Sequence, residues 1–366
     1  MKACANSSFV SFHGKNNIRG IMMSKRKFLA LASMIAALLL LLAACGGSDE
    51  GSDGASSGDS KLRIAVGPPG SETNSISRKI LEAHGLTEDD YQAFQEGFGD
   101  AADGVQDGNI DISFGVLGLP AGSIESLQAT TGDVVLLGLD EEALKDLEAN
   151  TPYQRYTIPA GSYEFQDEDV ETLAAYALMV VNTDTVDEEL AYELARIMVE
   201  HSNEVTHAQA KDMTLENALN GTEGLPIHPG AKKYYEEQGL TVDNPVAEVA
   251  ADPSNRKTEF ILGTGSQGGT YYPLGGEIAN VWNKYLDINV TNTETGASTE
   301  NLATIGQGNM DIGMTVHVPA LAALNGEGDF EGNPIGNFAV IGHVYPEVVQ
   351  VITRETTGIK SLSDLK

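Results

Sequence analysis

Cysteine is nearly absent. Of 366 residues only Cys4 and Cys45 are cysteines, and both precede residue 61. The body of the chain therefore offers no disulfide and no cysteine metal site. Positive charge is scarce too: lysine and arginine total 22 against 53 aspartate and glutamate, a formal net charge of −31. A surface of that sign repels nucleic acid and anionic lipid, which argues against both as partners. It reads as the solvated exterior of an exported protein, and an acidic ligand must be held by local donors against the global field. Histidines are few. His201 and His207 stand six apart, which is not the spacing that sets two rings on one helix face, so no metal is expected. Beyond residue 60 there is no G-x-S-x-G, and the chain has no H-E-x-x-H and no obvious Ser/His/Asp set, so no hydrolase chemistry is expected.

What is present begins with a leader. Lys25, Arg26 and Lys27 precede an apolar region over residues 28–44, and Leu42-Ala43-Ala44-Cys45 closes it. The apolar region is short for a membrane span, and the small residues before the cysteine favour processing. Met22 or Met23 is the better start, because the stretch before it carries no targeting pattern. GGSDEGSDGASSGDS follows as a polar tether over 46–60.

Beyond the tether the sequence is written twice. GNIDISFGVLGLPA (108–121) matches GNMDIGMTVHVPA (308–320). KLRIAVGPPGSETNSISRKILEAHG and TEFILGTGSQGGTYYPLGGEIANVWNKYL each read strand, Gly-rich loop, helix. Two α/β lobes of similar build follow. VETLAAYALMVVNT is an apolar run long enough to cross between lobes. NFAVIGHV and VVQVITRE read as paired strands, and AKKYYEEQG reads as a helix closed by Gly239.

A strand–loop–helix unit aims backbone N–H groups and the positive end of a helix dipole at one spot. Ser266, Thr270 and Tyr271 add hydroxyls at one such loop. Ser71, Thr73 and Asn74, beside Gly70, do so on the facing lobe. Ser298 suits an N-cap, with Asn301 in the first turn of a third helix. Three donor-rich helix starts with no cationic side chain suit a small carboxylate. GTGSQG also fits G-x-G-x-x-G, with Glu294 after the next strand where a ribose-binding acid sits. Export and the bulk of Tyr271 and Tyr272 argue against a dinucleotide.

GTGSQGGTYYPLGG, TGASTEN, GQGNMDIGM, GEGDFEG and VYPEVVQVITR resemble the opening half of TAXI-type solute-binding proteins of TRAP transporters. VGPPGSETNSISRKILEAHGL, VQDGNIDISF, IPAGSYEFQDEDVETLAAYALMVVN and PIHPGAKKYYEEQGL resemble the closing half of that family. The resemblance spans nearly all of 61–366. It implies a two-lobed periplasmic-binding-protein (type II) fold that captures small organic acids, often dicarboxylates or amino acids such as glutamate, for an ion-coupled permease. Through its resemblance to a lipobox, Cys45 is implied to be the lipidated N-terminus.

Two residues and the order of the halves depart from the family. Ala297 stands where glycine is usual, and Glu72 puts a negative charge where glycine follows Ser71. The closing half comes first, as in a circularly permuted chain whose former ends meet near NPVAEVAADPSNRKT. A gene opened across a break in circular DNA, or a fusion of two damaged genes, also gives a reversed order. Each expected element occurs once, which favours permutation or a break.

The expected organisation is a leader over 1–45, a tether over 46–60 and lobe II over 61–155. A crossover and the helical part of lobe I follow over 156–242, then a joining linker over 243–257 and the strand-rich part of lobe I over 258–366. The expected ligand contacts are Ser266, Thr270, Tyr271, Ser298, Asn301, Ser71 and Thr73, with His317 and Asn74 as further candidates. The expected function is capture of a small acid by a monomeric lipid-anchored protein on the extracytoplasmic face. It would deliver that acid to TRAP membrane subunits without a cofactor or covalent chemistry. The alternatives are a ligand-sensing lipoprotein without transport and a nucleotide-binding enzyme.

Overall fold

Residues 61–365 are described by a computed structural model of the chain; the expected leader, the tether and Cys45 lie outside the described residues. In chain order lobe II supplies β1 (Leu62–Ala65), α1 (Glu72–Ala83), β2 (Tyr91–Phe94), α2 (Phe98–Gln106) and β3 (Ile112–Leu117). It continues with α3 (Gly122–Thr131), β4 (Val134–Leu137), α4 (Glu141–Asn150) and β5 (Gln154–Ile158). β6 (Val170–Asn182) crosses to lobe I, where α5 (Glu188–Glu200), α6 (Pro229–Glu237), β7 (Glu259–Gly263) and α7 (Tyr271–Tyr285) follow. Then come β8 (Asn289–Thr293), α8 (Ser298–Gly306), β9 (Ile312–Val316), α9 (His317–Asn325) and β10 (Phe338–Arg354).

The two halves of one ten-stranded sheet are built alike. In lobe II, β1 pairs in parallel with β2 and β3, and β3 pairs antiparallel with the second half of β10. In lobe I, β7 pairs in parallel with β8 and β9, and β9 pairs antiparallel with the second half of β6. β6 and β10 pair antiparallel with each other at the centre of the sheet and join its two halves, so they carry the chain between the lobes. The apolar run of β6 thus crosses as expected. β10 joins the two expected strands into one of 17 residues, bent by register shifts on both sides of Gly342–His343.

Strand alternation divides each core in two. Ile64 and Val66 face α1 and α4, while Ala65 between them faces α2 and α3. In lobe I, Ala177, Met179 and Val181 face α5, α6 and α7; Leu178 and Val180 face α8 and α9. In each lobe the strands lie between helical layers, a two-lobed α/β architecture.

The repeated Gly-Asn-x-Asp-Ile motif has one duty in both lobes. Gly108 (φ 71°) and Gly308 (φ 74°) end a helix in the left-handed conformation. The aspartate then ties its strand to the neighbouring one. Asp111 accepts from the Arg63 amide at 2.8 Å, and Asp311 accepts from the Ile261 amide at 2.9 Å. Arg63 and Lys257 neutralise the two carboxylates.

Two expected boundaries differ from what is seen. Residues 348–365, expected with lobe I, pair with β3 and β4, and Leu362 and Leu365 sit in the lobe II core. The stretch 243–257 is not free chain. Ile227 donates to Pro245 at 2.8 Å, Ala250 and Ala251 both donate to the Thr183 carbonyl at 3.0 Å, and Arg256 pairs with buried Asp187. Its polar residues face outward while its backbone is held by an existing edge, which composition alone does not reveal. Among the described residues no helix is long and apolar enough to cross a membrane.

Candidate functional site

Three helices begin at one place. The loops before α1, α7 and α8 close a cavity of about 60 Å³ between the lobes, walled on the apolar side by Phe98, Phe114, Val116, Leu117 and Val316. The β1–α1 loop turns through Gly67 at φ 89°, where a Cβ would come within 2.7 Å of Thr73, so only glycine fits. The lobes are shut over the cavity. Gly118 donates to the Thr270 hydroxyl at 2.9 Å, and Thr299 donates to the Gly70 carbonyl at 3.0 Å. Gly97 and Gly99 lie against Ser266 and Gly268, and a Cβ on Gly268 would stand 2.2 Å from the Gly99 Cα.

Six of the nine candidate ligand residues line this cavity: Ser71, Thr73, Ser266, Thr270, Tyr271 and Ser298. Three hydroxyls are oriented alike, each accepting a main-chain N–H: Thr73 from Val116 at 3.2 Å, Thr270 from Gly118 at 2.9 Å, Ser298 from Val316 at 3.0 Å. With a lone pair engaged that way, each hydroxyl hydrogen is left to donate elsewhere. Ser71 differs. Its hydroxyl donates to the Pro68 carbonyl and accepts from the Asn74 amide, capping α1. The first amides of α1, α7 and α8 have no partner inside their own helices and give the cavity a positive rim.

The other three candidates are not on its wall. Asn301 is fully buried, donating to the Gly263, Thr264 and Met314 carbonyls and accepting from Thr295. It knots β7, α8 and β9 together. Asn74 donates to Gly67 at 2.8 Å and accepts from Arg78, which holds the β1–α1 loop. His317 is neither in the cleft nor solvated: it opens α9, and Nδ1 accepts from the Tyr176 amide at 3.2 Å. Burial lowers its pKa, with the Pro152 carbonyl of lobe II opposing that shift. It braces lobe I against the crossing strand β6.

Ser298 is the first residue of α8 rather than its N-cap. The cap is Ala297, at φ 70° and the only non-glycine residue with positive φ among the described residues. Glu294 accepts from the Gln267 amide and side chain at 3.3 and 2.9 Å, so it braces the loop.

Sequence reasoning missed Glu347 and noted Glu72 only as a departure from the family pattern. Glu72 and Glu347 both line the cavity at 6 % and 3 % exposure. The Tyr153 hydroxyl donates to Glu72 at 3.0 Å and the Tyr345 hydroxyl to Glu347 at 2.5 Å. Burial pushes Glu72 up to about 7 and Glu347 up to about 8; their tyrosine partners oppose the shift, and repulsion between the two carboxyls adds to that of Glu347. The Tyr271 hydroxyl is buried beside Glu347 and Ser298 without a hydrogen bond of good geometry. The available signal for Glu347 was a lone acid inside the long apolar run of β10. For Glu72 it was the departure from glycine.

A model of the NMT1-like family matches residues 49–239 and 262–366. Solved structures are similar only weakly. A phosphate-binding protein of a phosphate ABC transporter from Streptococcus pneumoniae TIGR4 is 10% identical, with 83% of this chain and 93% of that one covered and a TM-score of 0.36. PhnD1 from Prochlorococcus marinus, in complex with methylphosphonate, is 11% identical, with 84% and 80% covered and a TM-score of 0.39. An ancestral arginine-binding protein bound to arginine is 11% identical, with 83% and 90% covered and a TM-score of 0.32. Likenesses this weak say nothing about what the present cavity holds.

Proposed function

This chain belongs to the NMT1-like family, and from that premise we propose that it captures a small organic acid between its lobes and releases it unchanged. The observation that carries the reading is the convergence of three helix starts on one cavity between the lobes, with three hydroxyls already oriented by main-chain amides. Such a rim receives a carboxylate without reorganisation. The ligand contacts in this reading are Thr73, Ser266, Thr270, Tyr271 and Ser298, with the cap residue Ser71 shaping the α1 start. Capture proceeds by hinge closure about β6 and β10.

In the same reading Cys45 anchors the protein by a lipid to the extracytoplasmic face, and the closed monomer presents its acid to TRAP-type membrane subunits. The reversed order of halves is read as a permutation. The family model leaves 240–261 unmatched, where the former ends would be joined. Leu62 and Leu365 contribute to one hydrophobic cluster, which supports proximity of the ends once separated.

The test is a thermal-shift titration of the full chain, purified in mild detergent, against short mono- and dicarboxylic acids and amino acids. A binder raises the melting temperature in a saturable way. Ser298→Ala and Thr73→Val each remove a hydrogen bond to a charged group, about 1.5–3 kcal/mol, and weaken the binder about tenfold or more. A panel that leaves the melting temperature unmoved overturns the reading.

A further inference from the structure

Four carboxylates in the described chain are buried: Glu72, Asp187, Asp311 and Glu347. Asp187 is paired with Arg256 and Asp311 with Lys257, the usual condition of a buried charge. Glu72 and Glu347 line the cavity instead, and neither has an ion-pair partner among the described residues. No lysine or arginine lines that cavity. The two acids come from different parts of the fold. Glu72 opens α1 in lobe II, and Glu347 lies on β10, which joins the lobes. Tyr271, whose buried hydroxyl has no partner, opens α7 in lobe I beside Glu347. Tyr153 donates to Oε1 of Glu72 at 3.0 Å and Tyr345 to Oε1 of Glu347 at 2.5 Å, so Oε2 of each acid is unengaged among the described residues. A carboxylate only accepts hydrogen bonds, whereas a carboxyl group also offers one O–H donor. The fold thus sets two unpaired acids around the space where an anion is to sit. Ionised, they would repel it and each other, and a proton on each removes the conflict.

We propose that Glu347 and Glu72 meet the acid as protonated carboxyls, each donating its O–H to the ligand, so that capture draws protons from solvent. The inference deepens the small-acid reading and rests on it. It makes the two glutamates donors beside Thr73, Thr270 and Ser298, instead of a field opposed to them. Burial favours the protonated form of both before any anion enters, and an anion adds to that preference. On Glu72 bear Tyr153 from the turn before β5, Lys79 from α1 and Asp329 from the loop after α9. On Glu347 bear Tyr345 from its own strand, Tyr271 from α7, and Glu72. The tyrosines and Lys79 favour ionisation but are outweighed by burial; Asp329 and Glu72 act in the same sense as burial. The complex therefore holds protons that the ligand-free chain lacks, and affinity rises as pH falls, by at most about tenfold per pH unit for each proton.

Isothermal titration calorimetry on the full chain tests this with the short acids of the thermal-shift panel, succinate and L-glutamate among them. Each acid that binds is titrated from about pH 6.5 to about pH 8.5, where its own carboxyls stay ionised, in two buffers of different ionisation heat. The expected result is uptake of about one proton or more per ligand at the upper end, with affinity about tenfold or more weaker there than at the lower end. Glu347→Gln, a neutral donor at every pH, binds tighter than the parent chain at the upper end and flattens the profile. Glu72→Gln does so to a lesser degree and serves if the first variant does not fold. A glutamate that only braced its loop would leave the pH profile of binding unmoved. Binding without proton uptake and with a flat profile, or with proton release, overturns the inference and leaves the small-acid reading standing. Uptake that persists undiminished in both folded variants overturns it too. If no acid of the panel binds the folded chain at any of these pH values, the small-acid reading falls and this inference with it.

Discussion

Ala297 holds a backbone conformation that a Cβ opposes, φ 70° and ψ −141°, at the start of α8 and on the cavity wall. Residues other than glycine in such regions carry strain of about 1–3 kcal/mol. Ala297→Gly is therefore expected to raise unfolding free energy by about 1 kcal/mol in urea titration, the gain reduced by the entropy glycine loses on folding. Asn301 points the other way. Asn301→Ala leaves buried carbonyls of Gly263, Thr264 and Met314 short of a donor, and a loss of about 3 kcal/mol is expected in the same titration. The buried acids set the pH response of the unliganded chain. Folding raises Glu72 to about 7 and Glu347 to about 8, so between the unfolded value and these the native state binds more protons and stability falls as pH rises. Burial lowers His228 and His343 to about 4, and their contribution to stability rises with pH up to the unfolded value near 6.5. Above that value the acids act alone. Stability measured without ligand is expected to fall between about pH 6.5 and 8, by roughly 1 kcal/mol per unit at the steepest, and the fall shrinks in Glu347→Gln.

At the scale of elements, the strand–loop–helix units were legible because each carries its own punctuation. Gly67 and the Ser71 cap open α1, and the left-handed Gly108 and Gly308 close α2 and α8 before their aspartates pin the next strand. The three helix starts were legible for the same reason, and six of the nine candidate residues line one cavity. What was not legible depends on partners distant in sequence. Asn301 looked free to reach a ligand because nothing local shows the carbonyls of β7 and β9 closing around it. His317 looked like a loop residue because Tyr176 lies 141 positions away. Glu347 falls between the two strands read at 337–344 and 348–355, and only their joining into one strand, β10, beside β6 sets it on the cavity wall. The close glycine contact is an element-scale device. Gly268→Ala sets a methyl group 2.2 Å from the Gly99 backbone across the cleft. It is expected to weaken ligand binding tenfold or more in calorimetry while the unliganded melting temperature moves by only a few degrees, about the scale of a tolerated surface change.

For the whole molecule, the proposed permutation sets the closing half of a two-lobed fold first in the chain. Reopening the chain within the exposed stretch 252–254 and joining 365 to 62 through a short glycine linker is expected to give a folded protein with the same ligand preference. A molten or aggregated product would count against the permutation. The central claim is that the cleft grips a small charged metabolite and does not transform it. Native mass spectrometry of the full chain, extracted from membranes in mild detergent, addresses that claim most directly. The account predicts a single small acid, lost on denaturation with its mass unchanged and absent from the Gly268→Ala protein. A nucleotide in that position, or a compound whose mass changes on incubation with the folded chain, would contradict it.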